Sequence, residues 1–184
     1  MRIVGGRHRG RQLETPADLP IRPTSDRARE ALFNILEHGK LAAGGLSPVR
    51  GARVLDAFCG TGALGLEALS RGAAHAVFLD QDAAALRLAR RNAAAVKETA
   101  QATFLAADAT RPPAADQACT LVFLDPPYAE DVLEPALAGL ARAGWIAPGA
   151  IIVAEVDRRT QPPSAGLLVD ERVYGKAKLL FYRS

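Results

Sequence analysis

Arg53-Val54-Leu55-Asp56-Ala57-Phe58-Cys59-Gly60-Thr61-Gly62-Ala63-Leu64-Gly65 is the stretch on which the fold turns. A short apolar strand over Arg53–Asp56 runs into a glycine turn, and a helix follows over Gly62–Arg71. Gly60, Gly62 and Gly65 match G-x-G-x-x-G between strand and helix, where missing side chains let a ligand approach the backbone. Downstream, strand and helix patterns alternate. Strands are expected over Ala76–Asp80, Ala102–Ala106, Thr120–Asp125 and Ala150–Val156, with helices over Ala83–Lys97 and Val132–Ala143. Two last runs, Leu167–Tyr174 and Ala177–Tyr182, flank Gly175-Lys176 as an antiparallel hairpin. Repeated βαβ units predict an α/β fold: a doubly wound, Rossmann-like sheet, mostly parallel, covered by helices on both faces.

Upstream, residues 1–48 are expected to form a basic arm and one helix, and residues 49–184 the sheet domain. Arg2-Ile3-Val4 and Arg11-Gln12-Leu13 could pair across the Gly5-Gly6 to Gly10 bend. Thr24 or Ser25 could cap a helix with Ala28, Ala31, Leu32, Ile35 and Leu36 on one face.

The chain has 184 residues, 49% of them hydrophobic, which suits one sizeable core. Its longest uncharged stretch, Ala143–Ala154, is far short of the roughly 20 apolar residues of a membrane helix. No signal peptide is visible behind Met1, and two cysteines, Cys59 and Cys119, make no disulfide framework. Both are expected in the core of a cytoplasmic protein. Of the net charge of +3, residues 1–11 supply +4 and residues 171–184 supply +3, so the middle carries −4. Basic ends on an acidic body suggest a localised site for a polyanion.

Ligands in such sheets bind at the carboxyl ends of the strands, and Asp56, Asp80, Asp108 and Asp125 all fall there. The glycine loop alone also fits a dinucleotide enzyme, so an NAD-dependent oxidoreductase is a rival. Asp56 separates the two: a carboxylate beside the loop repels a pyrophosphate and suits a cationic amino group. S-adenosylmethionine carries an ammonium and a sulfonium and no phosphate. Asp80 can accept the ribose hydroxyls and Asp108 the adenine amine, a series that resembles the class I methyltransferases. The expected cofactor contacts are Asp56, Phe58, Gly60, Thr61, Gly62, Asp80, Gln81, Asp108 and Ala109.

Leu121-Val122-Phe123-Leu124 runs into Asp125-Pro126-Pro127-Tyr128, the expected catalytic tetrad. Two prolines fix the exit from the strand and leave carbonyls free to accept. Asp125 and the Pro126 carbonyl can bind both hydrogens of an exocyclic NH₂, aiming its lone pair at the methyl group. Tyr128 offers a stacking face for an extruded base. No metal and no covalent nucleophile are required. The acceptor is then a planar amine: adenine N6, guanine N2, cytosine N4 or a glutamine amide.

The whole chain resembles the RsmD-type bacterial small-subunit rRNA guanine-N2 methyltransferases. The resemblance rests on Arg2–Arg11, Arg22–Asn34, Gly62–Ala73, Asp125–Tyr128, Tyr174–Lys176 and Phe181–Arg183. It implies seven strands with the last hairpin inserted antiparallel. It also implies S-adenosylmethionine as cofactor and methyl transfer to N2 of one guanine of 16S rRNA near the decoding region. Cofactor roles then fall on Asp56, Gly60, Gly62, Asp80 and Asp108, and catalysis on Asp125 and Tyr128. Asp80 stands where many relatives have Glu. Arg7, His8, Arg9 and Arg11 could straddle an RNA backbone, and Arg22 and Arg27 could face RNA or cofactor. A chain this small is expected to act as a monomer and to need a folded rRNA or a small ribosomal subunit to present the base. Against a DNA adenine or protein glutamine substrate stands the short segment before the first strand, and against a non-catalytic RNA-binding factor the intact tetrad.

Overall fold

The computed structural model describes residues 1–16, 26–42, 46–127, 131–164 and 166–184. The glycine-loop stretch begins as β1 (Arg53–Ala57) and continues into α2 (Ala63–Ser70), preceded by α1 (Asp26–His38). Then come β2 (His75–Asp80), α3 (Ala83–Ala95), β3 (Ala102–Ala106), β4 (Cys119–Leu124), α4 (Leu133–Arg142), β5 (Ile146–Asp157), β6 (Leu167–Tyr174) and β7 (Ala177–Arg183). Among the described residues the strands form one seven-stranded sheet in the order β3-β2-β1-β4-β5-β7-β6. The first five are mutually parallel, and β7 runs antiparallel to both β5 and β6. This is the doubly wound sheet with an inserted hairpin expected from the sequence. No described helix is long and apolar enough to cross a membrane.

The period of two along each strand divides the interior in two. Val54, Phe78, Leu121, Phe123, Val153 and Phe181 face one core, with α1, α2 and α3 packed on it. Leu55, Leu79, Val122, Leu124, Ile152 and Tyr182 face the other, under α4 and Trp145. Cys59 and Cys119 are buried free thiols, one in each core.

Two local expectations change. Of the expected α1 face, Leu32 and Leu36 are buried and Ile35 packs half-buried on the same core, but Arg29 and Phe33 complete the buried stripe in place of Ala28 and Ala31. Phe33 turns inward because it finds Phe123 at 5.6 Å between ring centroids, with the Arg71 guanidinium 4.9 Å from its ring. β5 starts at Ile146 rather than Ala150, through an irregular pairing with β4 around Cys119. Its Gly149 takes a φ of 74°, which a side chain at that bend would resist. In the arm, Arg2 and Gln12 form the expected antiparallel bridge, and Ile3 and Leu13 are buried. The arm is thus a short hairpin whose Ile3 and Leu13 belong to the first core. The capping residues proposed at Thr24 and Ser25 lie outside the described residues.

Candidate cofactor and acceptor site

At the carboxyl edge of the sheet the four acids follow the strand order: Asp108 after β3, Asp80 ending β2, Asp56 near the end of β1, Asp125 after β4. The chain winds one way from β1 to β2 and the other way to β4, so the crevice beside β1 is the topological switch point. Register sets Asp56 level with Phe78 on one side and Phe123 on the other. Asp80 and Asp125 continue these two neighbouring strands.

The glycine loop is held by acids from behind. Asp56 is buried, and its Oδ2 accepts the Gly65 N–H at 2.8 Å, locking the first turn of α2. Burial pushes its carboxyl up to about 7; the Gly65 bond works against this and the Asp80 charge adds to it. Asp80 accepts the Gly60 N–H on one oxygen and the Asp82 N–H on the other, both at 2.9 Å. Asp82 in turn caps α3 by accepting from Ala84. A carboxylate offers about four acceptor positions, so Asp80 retains capacity for hydroxyl donors.

Each glycine has its own reason. Gly60 and Gly62 have φ of 52° and 77°, and a Cβ on Gly60 would meet nothing within 4 Å, so that backbone faces open space. Gly65 allows helix to touch strand: a Cβ there would lie 2.4 Å from the Phe78 ring and 3.1 Å from Asp56 Oδ2. Gly65→Ala is therefore expected to cost about 1–3 kcal/mol through overpacking, read in a urea melt. A loss of only a few tenths would show that helix and strand separate easily at this point.

Phe58 adopts a φ of 60°, rare for a bulky residue, and leans half-buried on the second core. Thr61 is half-buried and Gln81 is exposed at the loop edge. Asp108 Oδ1 accepts both the Thr110 hydroxyl, at 2.7 Å, and the Thr110 N–H, at 2.8 Å. These bonds hold its carboxyl below the usual range, with Arg111 assisting. Ala109 is buried, and α4 packs closely there, since a Cβ on Gly139 would lie 2.3 Å from the Thr110 carbonyl oxygen. Beyond β4, Asp125 is half-buried, Pro126 buried and Pro127 exposed. Tyr128 lies outside the described residues.

Of the five described basic residues assigned to RNA, two are engaged within the protein. Arg7 and His8 bond to the buried Glu98, at 2.6 Å and 2.5 Å. Glu98 precedes β3, and Gly6 packs on the Ser70 carbonyl at the far end of α2, so this tip lies at the amino edge of the sheet. An eight-residue helix rises about 12 Å, which separates the tip from the glycine loop. Arg9 and Arg11 are exposed beside it, Arg27 is exposed on the first turn of α1, and Arg22 lies outside the described residues. Asp26, next to Arg27, bonds Arg2 and Arg29, which outweigh burial and hold its carboxyl low.

Sequence reasoning missed a set of buried polar side chains that hold the arm. Glu67 accepts the Val4 N–H, Ser70 accepts the His8 N–H and donates to the Gly5 carbonyl, and Arg29 donates to the Arg2 carbonyl. Asn92 pairs with the backbone of Glu14, and Glu98 holds Arg7 and His8. The available signal was a polar residue on an otherwise apolar helix face, as at Glu67 and Ser70 in Ala63-Leu64-Gly65-Leu66-Glu67-Ala68-Leu69-Ser70. Glu155 is a further buried acid, near the carboxyl end of β5, one residue beyond the Ala154 that pairs with Leu124.

A doubly wound sheet with an inserted antiparallel strand, a glycine loop backed by acids, and no basic residue between Asp56 and Gly65 defines the methyltransferase class of this fold. The chain belongs to the family described as Conserved hypothetical protein 95, whose model matches residues 1–183. It is 36% identical over 194 residues to Ribosomal RNA small subunit methyltransferase D of Escherichia coli K12, covering 100% of this chain and 89% of that one. The protein of the same name from Haemophilus influenzae is 31% identical over 190 residues, covering 100% and 94%. Among solved structures, a hypothetical protein of Thermus thermophilus matches with a TM-score of 0.78 at 32% identity, covering 100% and 99%.

Proposed function

We propose that this protein methylates the N2 amine of a guanine in small-subunit rRNA, with Asp125 and the Pro126 carbonyl as the groups that hold the amine. It is an S-adenosylmethionine-dependent rRNA methyltransferase; the acceptor atom and the residue roles are the step beyond that. The observation that carries the reading is the placement of Asp125, at the exit of β4, beside the strand that bears the glycine loop.

The donor set fits the cofactor. A buried carboxylate and an open glycine backbone with no basic side chain suit a cationic, phosphate-free nucleoside. Asp56 and the loop Gly60–Gly62 would hold its amino-acid end, Asp80 and Gln81 its ribose, and Asp108 with Ala109 its adenine, while Phe58 shapes the wall. Bound there, S-adenosylmethionine supplies a methyl group on a sulfonium, an electrophile that needs no metal.

The protein's remaining task is to present a poor nucleophile. The lone pair of an aryl amine is delocalised into its ring. Accepting both hydrogens at Asp125 and Pro126 draws the nitrogen toward tetrahedral geometry and directs its lone pair, a gain from alignment and desolvation. Pro127 rigidifies this exit, Tyr128 stacks on the base, and the proton leaves once nitrogen carries the methyl group.

Exposed Arg9, Arg11 and Arg27, with Arg22, would contact phosphates, and Arg7 and His8 fix the arm that carries the first two. Little surface is left to read RNA sequence, so the base is presented by 16S rRNA folded within a small ribosomal subunit, met by a monomer in the cytoplasm. Labelled methyl transfer to naked rRNA and to unmodified subunits, with digestion to nucleosides, tests this. The expected product is N2-methylguanosine, formed faster on subunits. Label in N6-methyladenosine would replace guanine as the acceptor, and equal rates would remove the subunit requirement.

Asp56 makes cofactor binding depend on pH. Its carboxyl holds a proton below about 7 in the free protein, and a neighbouring ammonium favours the ionised form. Binding then releases a proton on the acid side, so affinity rises with pH through about 7 and levels off above. Calorimetry with S-adenosylhomocysteine from about pH 5.5 to about 8 checks this; a flat profile would detach Asp56 from the ligand.

A further inference from the structure

Among the described residues, five of the eight buried polar side chains (Arg29, Glu67, Ser70, Asn92 and Glu98) bond to residues 2–14. The arm pairs part of its backbone with itself, Ile3 with Arg11, Gly10 with Ile3 and Leu13 with Met1, and the N–H groups of Val4, His8 and Glu14 take partners from the body. The body of the protein holds it much as it would a bound peptide. One of the five also touches the glycine loop.

Asn92, on α3, is fully buried. Its Oδ1 accepts the Glu14 N–H at 2.7 Å, and its Nδ2 donates to the Glu14 carbonyl at 3.1 Å and to the Thr61 carbonyl at 2.9 Å. Both amide hydrogens are thus used, and the partners fix the orientation: the flipped amide would set its NH₂ against an N–H and its oxygen against two carbonyls. The Thr61 carbonyl precedes Gly62, whose φ of 77° belongs to the residue type most tolerant of peptide rotation. The N–H of the same peptide donates to the Cys59 carbonyl at 2.7 Å, so Asn92 and Cys59 hold it from its two sides, and losing Asn92 leaves only the bond within the loop itself. A second contact joins the same parts, the Thr61 hydroxyl lying 3.9 Å from Met1 Sδ.

We propose that Asn92 is a positioning residue of the cofactor site, and that through it the docking of the N-terminal arm sets cofactor affinity. This rests on the reading of Gly60–Gly62 as the cofactor loop. A loop pre-set in its binding conformation does not lose that freedom when the ligand arrives. An arm loosened anywhere along its length relaxes Glu14, then Asn92, then Thr61. By linkage, a ligand on the loop tightens the arm in return.

The experiment is titration of S-adenosylhomocysteine by calorimetry into the full-length protein, Asn92→Ser, Ser70→Ala and the double variant, each first shown to be folded by circular dichroism. Ser70 holds the arm at the opposite end of α2 and lies outside the cofactor site, so any effect it has on affinity must travel through the arm. Asn92→Ser should bind about tenfold more weakly, the scale of one or two lost buried hydrogen bonds. Ser70→Ala should bind several-fold more weakly, and the two losses should not add in the double variant. Asn92→Ser should also raise KM for the cofactor far more than it lowers kcat. If Asn92→Ser melts lower but binds within twofold of the parent, its role is structural and the proposal falls. Additive losses would likewise disconnect the arm from the loop. A parent protein that binds no S-adenosylhomocysteine would instead overturn the proposed function beneath it.

Discussion

Asp125→Ala is expected to lower methyl transfer by about 10²–10³-fold, the usual effect of removing one preorganised hydrogen-bonding group at a reacting centre. S-adenosylhomocysteine should still bind, because the glycine loop is backed by Asp56 and Asp80 on β1 and β2 rather than by β4. Asp125→Asn keeps one acceptor oxygen and should fall between the two. Single-turnover kinetics on unmodified subunits separates chemistry from binding. Unchanged transfer by Asp125→Ala would remove this residue from the mechanism and leave the amine to be held by backbone alone.

The second large effect concerns stability. Glu67 is fully buried, with Oε1 on Arg71 Nε and Oε2 on the Val4 N–H, both at 2.8 Å. Arg71 is itself nearly buried, stacked over Phe33 and bonded to Glu37. Glu67→Ala removes the acceptor of an arm N–H and leaves Arg71 with Glu37 as its remaining carboxylate partner. Breaking one side of a buried pair typically costs about 3–5 kcal/mol, a large share of a domain's total stability. Urea unfolding at neutral pH gives the value. A loss below about 1 kcal/mol would fit a surface ion pair and would mean that Glu67 does not hold the arm.

The residues that carry these two effects differ in how visible they are in the sequence. Asp125 announces itself, since a strand and two prolines fix its place locally. The same holds for Asp56 and Asp80, whose partners Gly65 and Gly60 lie nine and twenty residues away in one βαβ unit. The sheet is legible because both of its faces are buried, which leaves apolar runs bounded by glycines. Glu67 shows only as a polar residue on an apolar helix face, and what it and Asn92 hold on the arm stays hidden because those partners are 63 and 78 residues distant and are backbone groups. Arg7 and His8 look free for RNA in the sequence since nothing nearby pairs with them; Glu98 arrives only through the fold. Phe33 escapes the expected buried face of α1 for a similar reason, because Phe123 is brought to it by β4.

The measurement that tests the central claim most directly uses a target rRNA ligated with a single inosine in place of the methylated guanine. Inosine lacks only the N2 amine and keeps the rest of the guanine face. Methyl transfer from S-adenosylmethionine to the guanine substrate, and none to the inosine substrate at equal occupancy, is the predicted result. Transfer at comparable rates to both would place the acceptor on another atom and contradict the assignment of Asp125 to an exocyclic amine.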